Sequence, residues 1–184
     1  QLKTKRVEPP VELISFCLMP NHYHLTLKQL TENGIPNYMH RISASYTNYF
    51  NIRLERTGRL FETAYKTVTV ESDEQLLDLT RYQHLNPRTL GFRAPKELVD
   101  YPWSTLSTYL GEKRFPFVKP EMVTYAFGKH KSYLDFVIAE IDEFEPLRLQ
   151  EIAIDDDFGW LAHFRASKKR RQEQLRNLYL ETLS

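Results

Sequence analysis

Residues 11–28 read VELISFCLMPNHYHLTLK, and the fold turns on this stretch. Val11–Leu18 is apolar, carries β-branched residues and alternates imperfectly, which suits a buried strand. Met19-Pro20-Asn21 breaks the run, because Pro20 lacks a ladder donor and Asn21 favours turns. His22–Lys28 alternates again, so the two runs predict an antiparallel hairpin with a short connection. Side chains two apart on a strand share a face. His22 and His24 therefore point the same way just after a turn, and two imidazoles so placed can grip one metal ion. A bare His-x-His also arises by chance. With no nearby Cys or acid to close a zinc site, a further oxygen or nitrogen ligand plus water or substrate is needed.

Beyond the hairpin the period changes. Ile35, Met39, Ile42, Tyr46, Tyr49 and Phe50 recur at three and four, one apolar stripe on a helix that ends near Gly58. Leu60–Val70 ends in β-branched alternation and predicts a strand. Ser72 with Gln75 three later has the form of a capping box, and Leu76, Leu77, Leu79, Tyr82 and Leu85 follow as a helix limited by Pro87. After Gly91 the text is loop-like to Asp100. Short helices are expected to Leu110, from Lys119-Pro120-Glu121, over Ser132–Glu143 with Tyr133, Phe136, Val137 and Ile141 inward, and over roughly 160–182. The order predicts an α+β core with a helical C-terminal extension.

The chain has 184 residues, of which 41% are hydrophobic and 27% charged, an ordinary globular balance that excludes wholesale disorder. No apolar run approaches the ~18 residues that span a bilayer, so no membrane association is expected. Cys17 is the only cysteine, which excludes an internal disulfide framework and points to a reducing, cytoplasmic home. The chain opens at Gln1, which reads as an internal fragment. The net charge of +1 hides a basic run at 165–176, either a solvated helix end or a contact for nucleic acid.

Tyr82 and Asn86 lie one turn apart on one helix face. A tyrosine hydroxyl can act as a covalent nucleophile where a cation stabilises its anion, and a carboxamide at i+4 can ligate that cation. Each also has a plain structural reading, Tyr82 as a core aromatic and Asn86 as a residue that Pro87 leaves at an exposed helix end.

Four spaced segments bear on these readings. Cys-Leu-Met-Pro-Asn-His-Tyr-His-Leu (17–25) resembles the HUH motif of single-strand DNA endonucleases and transposases, with Tyr23 as the bulky middle residue. More specifically, it resembles the REP-associated tyrosine transposases. Gly58-Arg59-Leu60-Phe61-Glu62 with Tyr65-Lys66, Arg81-Tyr82-Gln83-His84-Leu85-Asn86-Pro87 and Asp100-Tyr101-Pro102-Trp103-Ser104 resemble further motifs of that family, in its order. Gln83 stands where the family has an aliphatic residue, and Ala64 where a small or basic one is common. The family's strand and helix before the hairpin have no counterpart here.

The resemblance implies a ferredoxin-like antiparallel sheet with helices packed on it, as an HUH catalytic domain over 1–111, and a helical extension over 112–184. It implies that His22 and His24 hold Mg²⁺ or Mn²⁺, with Asn86 as third ligand. Tyr82 attacks the scissile phosphate of single-stranded or hairpin DNA, leaving a 5′-phosphotyrosine and a free 3′-hydroxyl. Arg41, Arg53, Arg56, Arg59, Lys66, Arg81 and Arg88 are candidate DNA contacts. Trp103 could stack a base, although a core role is expected. The protein is expected as a monomer or homodimer. Two other readings compete: a domesticated HUH domain that holds hairpin DNA without cutting, and a metallohydrolase in which His-x-His activates water.

Overall fold

In the computed structural model, residues 9–112, 115–127 and 130–139 are described. The hairpin forms as expected. β1 (Val11–Leu18) pairs antiparallel with β2 (Tyr23–Gln29), and the Met19 N–H donates to His22 O at 2.8 Å to close the turn. The register runs from Val11↔Gln29 to Leu18↔Tyr23, with an irregularity between Leu13 and Ser15. Extra residues at a bulge re-aim side chains. Here Ile14 and Ser15 both reach one helix, Ile14 in the apolar cluster and Ser15 by hydrogen bond to Gln83, whereas Leu13 and Phe16 pack with Val118.

Two helices follow. α1 (Gly34–Arg53) starts where Gly34 comes so close to the Pro10 carbonyl that a Cβ there would sit 2.2 Å from its oxygen. α2 (Asp73–Leu85) is capped by Ser72, whose Oγ accepts from Gln75 N–H at 3.1 Å. The reciprocal bond of a capping box is displaced by one residue: Gln75 Oε1 accepts from Glu71 N–H. A 3-10 turn (Asn86–Leu90) carries the chain past Pro87. Short helices α3 (Pro95–Val99), α4 (Leu106–Tyr109), α5 (Glu121–Thr124) and α6 (His130–Ile138) complete the described part. The main cluster joins Ile14 of β1 to Leu76 and Leu85 of α2, Leu98, Leu106, Tyr109, Val123, and Tyr133 and Val137 of α6.

The described residues therefore have α+β character, and their sheet has two strands. The strand expected at Leu60–Val70 does not form: residues 61–70 have no ladder, and Tyr65 and Val68 lie open to solvent. Alternation supplies a strand's faces, but its hydrogen bonds need a neighbouring edge. The outer edge of β1 is already covered. Leu18 N–H donates to Trp103 O, Thr105 N–H to Phe16 O and Lys119 N–H to Leu13 O.

α1 departs from its stripe in one respect. Met39 is buried, but Tyr46 and Tyr49 are 49% and 58% exposed. A 20-residue helix is about 30 Å long, and two strands span only about 5 Å between their axes, so the sheet cannot cover the stripe's far end. The helix also ends at Arg53, short of Gly58. α3 occupies what was expected as loop, started by Pro95 and by Glu97, whose carboxylate accepts from Arg93 and Ala94 N–H. α6 runs from His130 to Ile138 with Tyr133 and Val137 fully buried, while Ile141 and the helix expected over 160–182 lie outside the described residues.

Candidate functional site: a histidine pair beside a tyrosine

His24 and Thr26 of β2 face α2. His22, at the mouth of the strand, and His24 bring their rings to 4.9 Å between centroids, edge to face. The Tyr82 ring of α2 lies 5.4 Å from that of His24, also edge to face. Two imidazoles and a phenol, separated by 58 positions in the chain, thus stand in one row. His22 Nδ1 lies 2.9 Å from Asn21 Oδ1. With that oxygen as acceptor, Nδ1 carries the proton and the lone pair falls on Nε2. His24 Nε2 is shielded from solvent.

Asn86 corrects an expectation. It does not sit at an exposed helix end. It is 4% exposed, and its Nδ2 is buried without a hydrogen bond among the described residues. Pro87 ends the α-helical hydrogen bonding without ending the turn, so the 3-10 segment folds Asn86 inward.

The candidate DNA contacts divide by environment. Arg41, Arg53, Arg56, Arg59 and Lys66 are exposed on α1 and the segment after it. Arg41 lines an open groove of about 740 Å³ with Pro10, Tyr38, Tyr46 and Tyr49, and the Arg56 guanidinium lies 5.4 Å over the Phe50 ring. Arg81 is instead held by Asp78 and stacks 4.5 Å over Phe136, and Arg88 is half-buried. Trp103 is 43% exposed, contrary to its expected core role. Its backbone serves the β1 edge while its ring lies outside.

Sequence reasoning missed the polar seat behind Tyr82. Gln83 is buried. Its carbonyl accepts from the Ser15 hydroxyl, and its Nε2 donates to Thr26 Oγ1 at 2.9 Å. His84 is buried beside it, between Tyr133 Oη at 2.8 Å and Thr105 Oγ1 at 2.9 Å. Thr105 Oγ1 donates its proton to Phe16 O, so it accepts from His84 Nε2–H, and Nδ1 accepts from Tyr133. Burial pushes the His84 pKa down to about 3 and the Tyr133 hydroxyl well up. The available signal was Gln-His in the last helical turn between leucines, two polar residues on a face that must be buried.

Among the described residues no three His, Cys, Asp or Glu side chains converge as a metal group, and no helix is long and apolar enough to cross a membrane. The chain matches no curated protein and no solved structure. A family model described as "Transposase IS200 like" matches residues 3–84, a span that holds the hairpin, α1, His22, His24 and Tyr82 and stops short of Asn86. The match covers less than half of the chain and is a likeness to the IS200-like transposases over the stretch that carries the His22–His24–Tyr82 row.

Proposed function

We propose that the protein is a metal-dependent, single-tyrosine HUH nuclease and strand transferase, akin to the REP-associated transposases, that acts on hairpin-bearing single-stranded DNA. The observation that carries this reading is the row His22–His24–Tyr82. His22 and His24 hold a divalent ion, and Asn86 is its third protein ligand. The donor set fits: two imidazoles and a carboxamide leave positions for water and phosphate, and imidazole suits Mn²⁺ better than Mg²⁺. Bound there, the ion supplies Lewis-acid polarisation of a phosphoryl oxygen.

The chain's own residues do the rest. The Tyr82 oxygen attacks phosphorus as the bond to the 3′-oxygen breaks. The DNA is left as a 5′-phosphotyrosine and a free 3′-hydroxyl, and the proton that leaves Tyr82 is matched by the one the 3′-oxygen gains. Another 3′-hydroxyl reverses the step and rejoins the strand. The Asn21 carboxamide holds the His22 ring in the tautomer that aims a lone pair outward, as outer partners of ligating histidines do. The hairpin with α1 and α2 is the catalytic half of a ferredoxin-like HUH domain. The segment at 61–70 and the exposed arginines of α1 border the DNA path.

The test is covalent capture. The full chain, Mn²⁺ and a library of hairpin-bearing single strands with randomised flanks should yield a protein–DNA adduct. Tyr82→Phe removes only the hydroxyl and should abolish the adduct while DNA binding persists. A Tyr82→Phe protein that nicks at the parental rate would make water the nucleophile and sink the assignment.

A further inference from the structure

Gln83 follows Tyr82 on α2, and Thr26 follows His24 by two on β2, on the same face of the strand. One step on the helix and one pleat on the strand thus set two contacts side by side: Tyr82 over His24, and Gln83 over Thr26. Ser15 pairs directly across from Thr26 on β1. The Gln83 carboxamide is 2% exposed and is gripped at both ends, by one hydroxyl from each strand. A buried amide is costly unless both ends are bonded, and both are. An aliphatic side chain would fill the volume equally well but could slide, because apolar contact has no preferred direction while hydrogen bonds do.

We infer that Gln83 is a positioning residue, a three-point clamp with Ser15 and Thr26 that fixes the register and rotation of α2 on the hairpin and so sets the Tyr82 hydroxyl against the His22–His24 pair. The inference rests on the reading of Tyr82 as nucleophile for its effect on rate, but its geometry stands independently. His84 holds the opposite flank of the same turn through Thr105 and Tyr133, so the clamp decides only how that turn meets β2.

The experiment separates packing from positioning. Gln83→Met keeps the length and shape of the side chain but takes from the Ser15 and Thr26 hydroxyls their partner on α2. The triple variant Ser15→Ala, Thr26→Val, Gln83→Met removes all three partners together, a replacement that can be nearly neutral for stability. The triple variant should melt near the parental temperature and bind the hairpin library with unchanged Kd. Its rate of Tyr82 adduct formation at saturating DNA should fall about a hundredfold, the scale of a ~1 Å misplacement. The ring protons of His24, which sense the Tyr82 ring, should shift in its NMR spectrum without DNA or metal. Thr26→Val alone is the milder second variant, should the triple fail to fold, and should move the His24 signals the same way. Thr26→Ser keeps the hydroxyl and should restore them. Unchanged His24 signals in Thr26→Val, or a parental adduct rate in a folded triple variant, would overturn the clamp. A parental protein that forms no adduct at all would overturn the nuclease reading instead, and the His24 signals would still decide the clamp.

Discussion

His84 separates the fold's demands from those of the chemistry. It follows Tyr82 by two, yet both its ring nitrogens are spent inside the core. Folding lowers its pKa from 6.5 to about 3 because the imidazolium cannot be solvated there. The unfolded chain therefore takes up a proton below about pH 6.5 that the folded chain refuses until about pH 3. Stability from this group is complete above pH 6.5 and is lost as the pH falls. Between about pH 6.5 and 5, above the carboxylate range, the slope should approach about 1.4 kcal/mol per pH unit. Urea unfolding of the parent against His84→Gln measures it, and equal slopes would show that His84 does not titrate this way. Asn86 invites a companion measurement. Asn86→Ala should weaken Mn²⁺ binding by about 10- to 100-fold if the carboxamide is a ligand or orients one. A pure stability loss with unchanged Mn²⁺ affinity would make it structural. At this scale the grouping was legible: a histidine pair two apart on a strand and a tyrosine on a helix do come together in space. The burial of Gln83, His84 and Asn86 was not, because a polar residue reads as solvated until its partners, here tens of residues away, are known.

Elements were legible where a local cause forms them. The Ser72 cap and the leucines behind it define α2, and the hairpin follows from two apolar runs around Pro20. Ser72→Ala should cost about 1 kcal/mol. Thermal unfolding should register a drop of about 2–4 °C for a chain of this size, and an unchanged melting temperature would mean that Gln75 and Glu71 hold the first turn alone. Elements whose cause is remote were misread. Residues 60–70 alternate like a strand, but in the described structure they form no ladder, although Phe61 packs against Tyr23 of β2. α1 carries a full apolar stripe, but only its first half meets the sheet. α3 has a local cause after all: Pro95 at the first helical position and Glu97 closing on Arg93 and Ala94 N–H groups are a start signal that five residues make easy to pass over.

Over the whole molecule, charge is arranged more informatively than its sum of +1. Among the described residues two ion pairs form, Lys28 with Glu12 at 3.9 Å and Arg81 with Asp78, and neither uses the arginines of α1 or the segment after it. Between Asn33 and Leu54 the chain has no acid, so Arg41 and Arg53 face solvent with no carboxylate of that helix to neutralise them. Arg56 and Arg59 continue the series just beyond its end. Such a surface attracts a polyanion by releasing the counterions condensed on it, which writes the number of neutralised phosphates into the salt dependence of binding. If Arg41, Arg53, Arg56 and Arg59 touch backbone phosphates, replacing them by Gln one at a time should lower the slope of log K against log salt by about 0.7 for each phosphate no longer neutralised on a single strand. Arg81→Gln should leave that slope alone and destabilise the fold instead, because its guanidinium is bound to Asp78 and stacked on Phe136. Anisotropy titrations over a range of salt concentrations distinguish the two behaviours. Slopes that stay constant across all four α1-side variants would move the DNA path away from this face, toward the Trp103 side of the hairpin.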